Sequence, residues 1–407
     1  MPSACKSTAR SWTRLDGVDV LRGLAIFFVL MNHVNIRLMQ ANVAYTKGLP
    51  KQLVSSLVWN GQYGVQIFFA ISGFLITSTT IRRWGSLSRV DIRDFYRLRF
   101  ARIAPLFLLL VGVLSAFHLA HIKHFVISPE TGGLGAALLA AFTFRVNVLE
   151  ARHGYLPGSW DILWSLSVEE MFYLFFPPIC RVLGRGRLLI ILLTSFVVLG
   201  PFGRTVFAHG NEIWREYSNL AGMDAIALGC LTALLVSHVR IFRPALWILG
   251  GLGIAVLTFI LGFSTEVGSL GLVRTGLDMT ILAVGTCLIT ACAAQTKWTA
   301  PWALRPVVSL GQRSYEVYLT HMFVVFGLFE LFVAIGKPIA AVPALFIAVI
   351  LVSGLAGEMA AEFYSEPLNR RLRKEWGDDA DRLGSAVSRS VIPEKNSSTT
   401  QADSALE

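Results

Sequence analysis

The chain is a succession of apolar blocks of about 20 residues, the length an α-helix needs to cross roughly 30 Å of hydrocarbon. The blocks fall near 18–38, 60–81, 101–120, 163–180, 187–206, 218–238, 244–263, 274–294, 311–335 and 338–361. Inside lipid a backbone must satisfy its own hydrogen bonds, so each block reads as a helix. The alternating pattern of a membrane barrel is absent. Hydrophobic residues fill 54% of the 407 positions and charged residues only 15%, against about 25% charged in soluble domains. The expected fold is all-α, a polytopic helical membrane protein with about ten transmembrane helices.

Charge then orients the blocks. The net charge of +10 does not mark a nucleic-acid binder, because the cations lie between apolar blocks and not on one soluble face. An eleventh stretch, 134–148, is short and open to three readings: spanning, interfacial or re-entrant. If it does not cross and the N-terminus is cytoplasmic, the inner side collects Arg82, Arg83, Arg89, Arg93, Arg97, Arg99 and Arg102. The same side holds Arg181, Arg185, Arg187, Arg240, Arg243, Arg370, Arg371, Arg373 and Lys374. The outer side keeps scattered charges such as Lys51, Lys123, Arg215, Arg274 and Lys337. That asymmetry satisfies the positive-inside rule and favours ten spans with both termini cytoplasmic. The first run, near Val18, has no small-residue cleavage site after it and is expected to remain as the first helix. Residues 1–13 read as a cytoplasmic tail, 14–376 as one membrane domain, and the Ser-, Asp- and Ala-rich 377–407 as a disordered tail.

Ionisable groups within membrane helices are expensive and mark the place to look for chemistry. In the first helix Arg22 and His33 are eleven residues apart. Eleven steps of about 100° come within roughly 20° of whole turns, so both point the same way, about 16 Å apart along the axis. Imidazole suits general base work near neutral pH; a positive-inside anchor and a packed histidine are the bland alternative. Ser72 and Gly73 in the second block permit close helix approach, and Gln66 needs a partner. Arg99 and Arg102, with Arg97 nearby, form a dense cluster at a helix start. Arginine forks suit phosphate oxygens, and equally a lipid-headgroup patch. Glu169 and Glu170 enter an apolar helix together, with Tyr173 at i+4 and i+3, so they must face the interior. Ser314, Tyr318 and His321 make a polar stripe, either a cavity wall or a hydrogen-bonded seam. His118, His121 and His124 stand at an outer helix end with no carboxylate or thiolate near in sequence, and no metal site is read there. The five cysteines show no ligand or disulfide spacing. Gly250-Gly-Leu-Gly253 lacks the strand context of a nucleotide fingerprint and reads as helix packing.

With these residues in hand, the chain resembles the membrane acyltransferases of acyltransferase family 3 over about residues 12–375. The family's arginine, ten residues, histidine pattern falls on Arg22 and His33, and its arginine-x-x-arginine motif on Arg99 and Arg102. Its Phe-Phe-x-Ile-Ser-Gly-Phe segment falls on Phe68 through Phe74, and its Trp-Ser-Leu-Ser-x-Glu segment on Trp164 through Glu169, followed by Glu170, Phe172 and Tyr173. The late Gly-x-x-Ser-Tyr stretch falls on Gly311, Ser314, Tyr315, Tyr318 and His321, and a Glu-Pro pair on Glu366 and Pro367.

The resemblance implies a multi-pass enzyme of a bacterial cytoplasmic (inner) membrane, with no bound cofactor and no metal. It would move an acyl group, acetyl above all, from acyl-CoA to a hydroxyl of a glycan or glycoside. Arg22, Arg99 and Arg102 would hold the donor phosphates, with Ser72, Tyr173, Tyr318 and His321 lining the path. His33 would act as base or transient acyl acceptor, with Glu169 or Glu170 balancing its charge. Many relatives carry a further soluble hydrolase-like domain after the helices. None is read here, so transfer is expected to finish at the membrane site. The rival reading is a secondary transporter with an intramembrane Arg/His/Glu relay. It calls for interrupted helices in matching halves, and no such halves are evident.

Overall fold

A computed structural model describes residues 15–296 and 298–376; the tail segments 1–13 and 377–407 lie outside them. Ten long helices follow in order: α1 (Asp16–Gln40), α2 (Gly61–Trp84), α3 (Ile92–Leu119), α4 (Leu163–Leu183), α5 (Arg187–Arg204), α6 (Asn219–His238), α7 (Arg243–Gly262), α8 (Leu277–Thr296), α9 (Ser314–Ala334) and α10 (Val342–Ala360). No strand occurs among the described residues. Nine helical segments there are long and apolar enough to cross a membrane, and α4 is the long helix left out. At 21 residues α4 has the length, about 31 Å at 1.5 Å per residue; its two carboxylates lower its apolarity.

Three boundaries differ from expectation. The third helix begins at Ile92, not 101, because Asp91 caps it by accepting the Asp94 backbone N–H at 2.7 Å. The Arg97–Arg102 cluster therefore lies inside the helix and not at its start. The 311–335 block is two helices, Arg305–Gln312 and α9, with an elbow at Arg313 between them. The 134–148 stretch folds as Gly133–Phe142 followed by Val146–His153. The ten residues of the first cover about 15 Å, half a bilayer core.

α1 and α2 are the axis of the bundle. No residue from 16 to 38 of α1, or from 61 to 81 of α2, is exposed. Peripheral helices instead turn Ile191, Val198, Ile248, Leu252, Leu351 and Leu355 outward, an apolar exterior suited to lipid. The chain is a multi-pass membrane protein. Its basic segments gather at one end: Arg181 donates to the Ser88 carbonyl at 3.2 Å, and Arg97 stacks over Trp376.

Small residues set the closest approaches. A Cβ on Gly73 would overlap the Ile226 carbonyl oxygen, and one on Gly229 the Ala70 carbonyl, so α2 and α6 touch backbone to backbone. A Cβ on Gly253 would likewise come within 2.7 Å of the Gly285 carbonyl oxygen, the packing role read from its motif. Gly73→Leu should lower the Tm of the detergent-purified protein by several degrees, since neither backbone can yield (about 1–3 kcal/mol or more). Gly251→Ala, where a Cβ meets nothing within 4 Å, is the control and should leave the Tm unchanged.

Candidate active site

A cavity of about 640 Å³ opens between α1, α2, α3, α4, α9 and the helical segment that follows α10. Seven arginines and five carboxylates line it: Arg22, Arg82, Arg83, Arg99, Arg102, Arg313 and Arg373 against Asp19, Glu169, Glu170, Glu316 and Glu366. Such a surplus of guanidinium favours a multiply charged anion. Arg22 stands 3.8 Å from Asp19. Arg102 is exposed at the cavity wall and forms no ion pair among the described residues.

Further in lies a polar layer shared by three helices. The Asp91 cap phases α3 so that Arg99 faces α4, where its Nη2 meets Glu170 Oε1 at 3.2 Å. Its guanidinium carbon lies 3.5 Å from the centroid of the Tyr173 ring, a cation–π contact. Glu169, turned about 100° from Glu170 on the same helix, takes different partners. Its Oε1 accepts from Ser72 Oγ of α2 and from Tyr173 OH one turn on. Both carboxylates thus serve the arginine–tyrosine layer. Neither forms a hydrogen bond with His33 among the described residues.

The neighbour of His33 is His321. Their ring centroids are 5.0 Å apart at 46°. His321 is fully buried on α9, and its Nδ1 lies 2.6 Å from the Tyr318 carbonyl oxygen one turn earlier. His33 keeps part of its surface accessible; since α1 has no exposed face there, the imidazole is turned to the bundle interior and not to lipid. The cavity lining includes Phe68 and Tyr318 but neither histidine. The rings of Phe68 and Tyr318 lie 6.3 Å apart, edge to face, and Tyr318 is held by Ser165 at 2.6 Å and the Ile162 carbonyl at 3.0 Å. The cavity therefore stops one aromatic ring short of the imidazole pair. Of the α9 stripe, Ser314 and Tyr318 line the cavity, and His321 lies behind them, fully buried.

Sequence reading missed several contributors. Arg313, at the elbow, binds Glu358 at 3.1 Å and also Glu366, tying the end of the chain to the cavity wall. Gln66 finds its partner in Asp224 at 2.9 Å, within a buried network that includes Arg204 and Thr280. Beyond His33, Arg37 lies over Phe326 and within charge reach of Asp161. Burial pushes the Asp161 carboxyl up to about 6, and burial with the nearby Asp161 raises Glu150 well above the usual range. His118 and His124 take separate partners, the Ile127 N–H at 3.0 Å and Glu330 at 2.7 Å.

Residues 15–358 match the acyltransferase domain of acyltransferase family 3. The chain is 24% identical over 375 residues to the O-acetyltransferase OatA of Staphylococcus aureus, covering 88% of this chain and 57% of that protein. It is 25% identical over 339 residues to the peptidoglycan O-acetyltransferase OatA of Listeria monocytogenes, covering 78% and 50%. The chain thus spans about half the length of these curated relatives. No solved structure matches. The match of the family over nearly all the described residues, in a bundle that draws Arg22, Arg99, Arg102, Glu169 and Glu170 around one cavity, places this chain in acyltransferase family 3.

Proposed function

We propose that the chain transfers an acetyl group from acetyl-CoA to a hydroxyl of an envelope glycan, with the arginine-rich end of the bundle facing the cytoplasm. The observation that carries this reading is the direction of the cavity. It runs from a mouth ringed by arginines toward a buried imidazole pair. The phosphates of a coenzyme A thioester suit the mouth, where Arg102 stands unpaired and Arg22 and Arg373 add charge. The thin pantetheine arm fits the narrowing wall of Leu319, Phe68 and Tyr318. The acetyl carbonyl would then pass between the last two rings to reach His33. A thioester is a more activated acyl donor than the oxygen ester it yields, so the transfer runs downhill without ATP. The names of the two relatives support acetyl as the acyl group and a glycan such as peptidoglycan as the acceptor.

Loss or gain of base-labile acetyl esters on cell-envelope glycans, followed by mass spectrometry with and without the protein, tests the reading as a whole. Two variants test its parts. Arg102→Ala should raise the KM for acetyl-CoA about tenfold, the worth of one charge-assisted phosphate contact, with kcat little changed. An unchanged KM would remove Arg102 from phosphate binding. Arg102 is a cleaner choice than Arg99, whose loss would also strand Glu170. His33→Ala should reduce transfer about 10²- to 10⁴-fold while acetyl-CoA binding, measured by calorimetry, stays intact; retained transfer would take His33 out of the chemistry.

A further inference from the structure

The imidazole pair is not symmetric. His321 Nδ1 sits 2.6 Å from the Tyr318 carbonyl oxygen. A carbonyl oxygen can only accept, so Nδ1 must carry the hydrogen. In the neutral ring the lone pair then belongs to Nε2. That nitrogen is buried, and no donor or acceptor of the protein reaches it among the described residues. A buried acceptor without a partner is costly and uncommon, and this one lies in the ring that packs against His33. His33 has no comparable anchor: no hydrogen bond holds either of its ring nitrogens among the described residues.

From this we infer that His321, held in one tautomer by the backbone of its own helix, is the base that takes the proton of the acceptor hydroxyl. The inference rests on the acyl-transfer reading above and assigns one step of it. The acceptor O–H donates to Nε2. As the oxygen attacks the thioester carbonyl carbon, its proton passes to Nε2 and the C–O bond forms. The C–S bond then breaks, and the same proton moves from Nε2 to the departing sulfur, leaving an oxygen ester and free thiol. While the ring is charged, its Nδ1–H points at the Tyr318 carbonyl oxygen, which stabilises the imidazolium as a buried orienting acceptor does in other histidine bases. The ligand class at Nε2 is therefore an alcohol, a donor of one hydrogen bond to a fixed lone pair. His33, across the ring contact, faces the same reacting centre from α1.

Two substitutions separate a base from a structural peg. Asparagine places its amide N–H where Nδ1 stands, so His321→Asn keeps a donor for the Tyr318 carbonyl and deletes Nε2. Glutamine places a polar atom near Nε2 but cannot accept a proton. Membrane vesicles from cells expressing the full chain carry its natural acceptors; they are given [¹⁴C]acetyl-CoA, and incorporation into glycan is followed. Both variants should lose about 100-fold or more of the rate at saturating acetyl-CoA, with the acetyl-CoA KM and the Tm of the purified protein unchanged. A His321→Asn protein within about threefold of the wild-type rate would overturn the assignment, because anchoring Tyr318 would then be the residue's whole role. Wild-type vesicles that incorporate no more label than vesicles lacking the protein would withdraw the acyl-transfer reading itself, and this step with it.

Discussion

The ion pair between Arg99 and Glu170 is the contact that makes an open, polar space possible inside an apolar bundle. An unpaired carboxylate in such surroundings costs several kcal/mol, and α4 carries two in succession. Glu170 is neutralised by Arg99 from α3, and Glu169 is satisfied by hydroxyls from α2 and from its own helix. The electrostatic requirement draws three helices to one level without letting their apolar faces close on each other. The stacked Tyr173 ring covers the guanidinium, which holds the charge in place while leaving the cavity side open. Arg99 therefore has a structural duty that Arg102 does not share.

α1 measures out the rest of the site. Arg22 and His33 lie on one face of a helix with no exposed residue between 16 and 38. The spacing of eleven residues thus becomes a distance between the arginine-lined mouth and the imidazole. The cavity takes in Arg22, Phe68 and Tyr318 but not His33. Two imidazoles pack together behind the Tyr318 ring, with Arg37 one turn beyond His33 on α1.

Much of this was readable in the sequence wherever the information is local. The helices announced themselves by length and apolarity. The common face of Arg22 and His33, the i,i+4 contact of Glu169 with Tyr173, and the small-residue seam at Gly73 follow from the helical repeat alone. What could not be read was the pairing of residues far apart in the chain. The partner of His33 comes from α9, and nothing near either histidine encodes that meeting. Arg204 and Asp224 look like two isolated costs until α5 and α6 pack and bring them to 2.6 Å. The start of α3 was hidden because its first turns carry arginines in place of apolar residues, and only Asp91 as a cap signals it. The elbow at Arg313 was hidden because apolar residues continue on both sides of it.

The clamp formed by Arg313 with Glu358 and Glu366 has a consequence for biosynthesis. One wall of the cavity comes from α1, the first of the described helices, and another from Ser365, Glu366, Asn369 and Arg373, among the last of the described residues. The mouth therefore closes only after the segment that follows α10 has been translated. A nascent bundle thus lacks this wall of its cavity until that segment docks, so completion of the cavity is a late event of assembly.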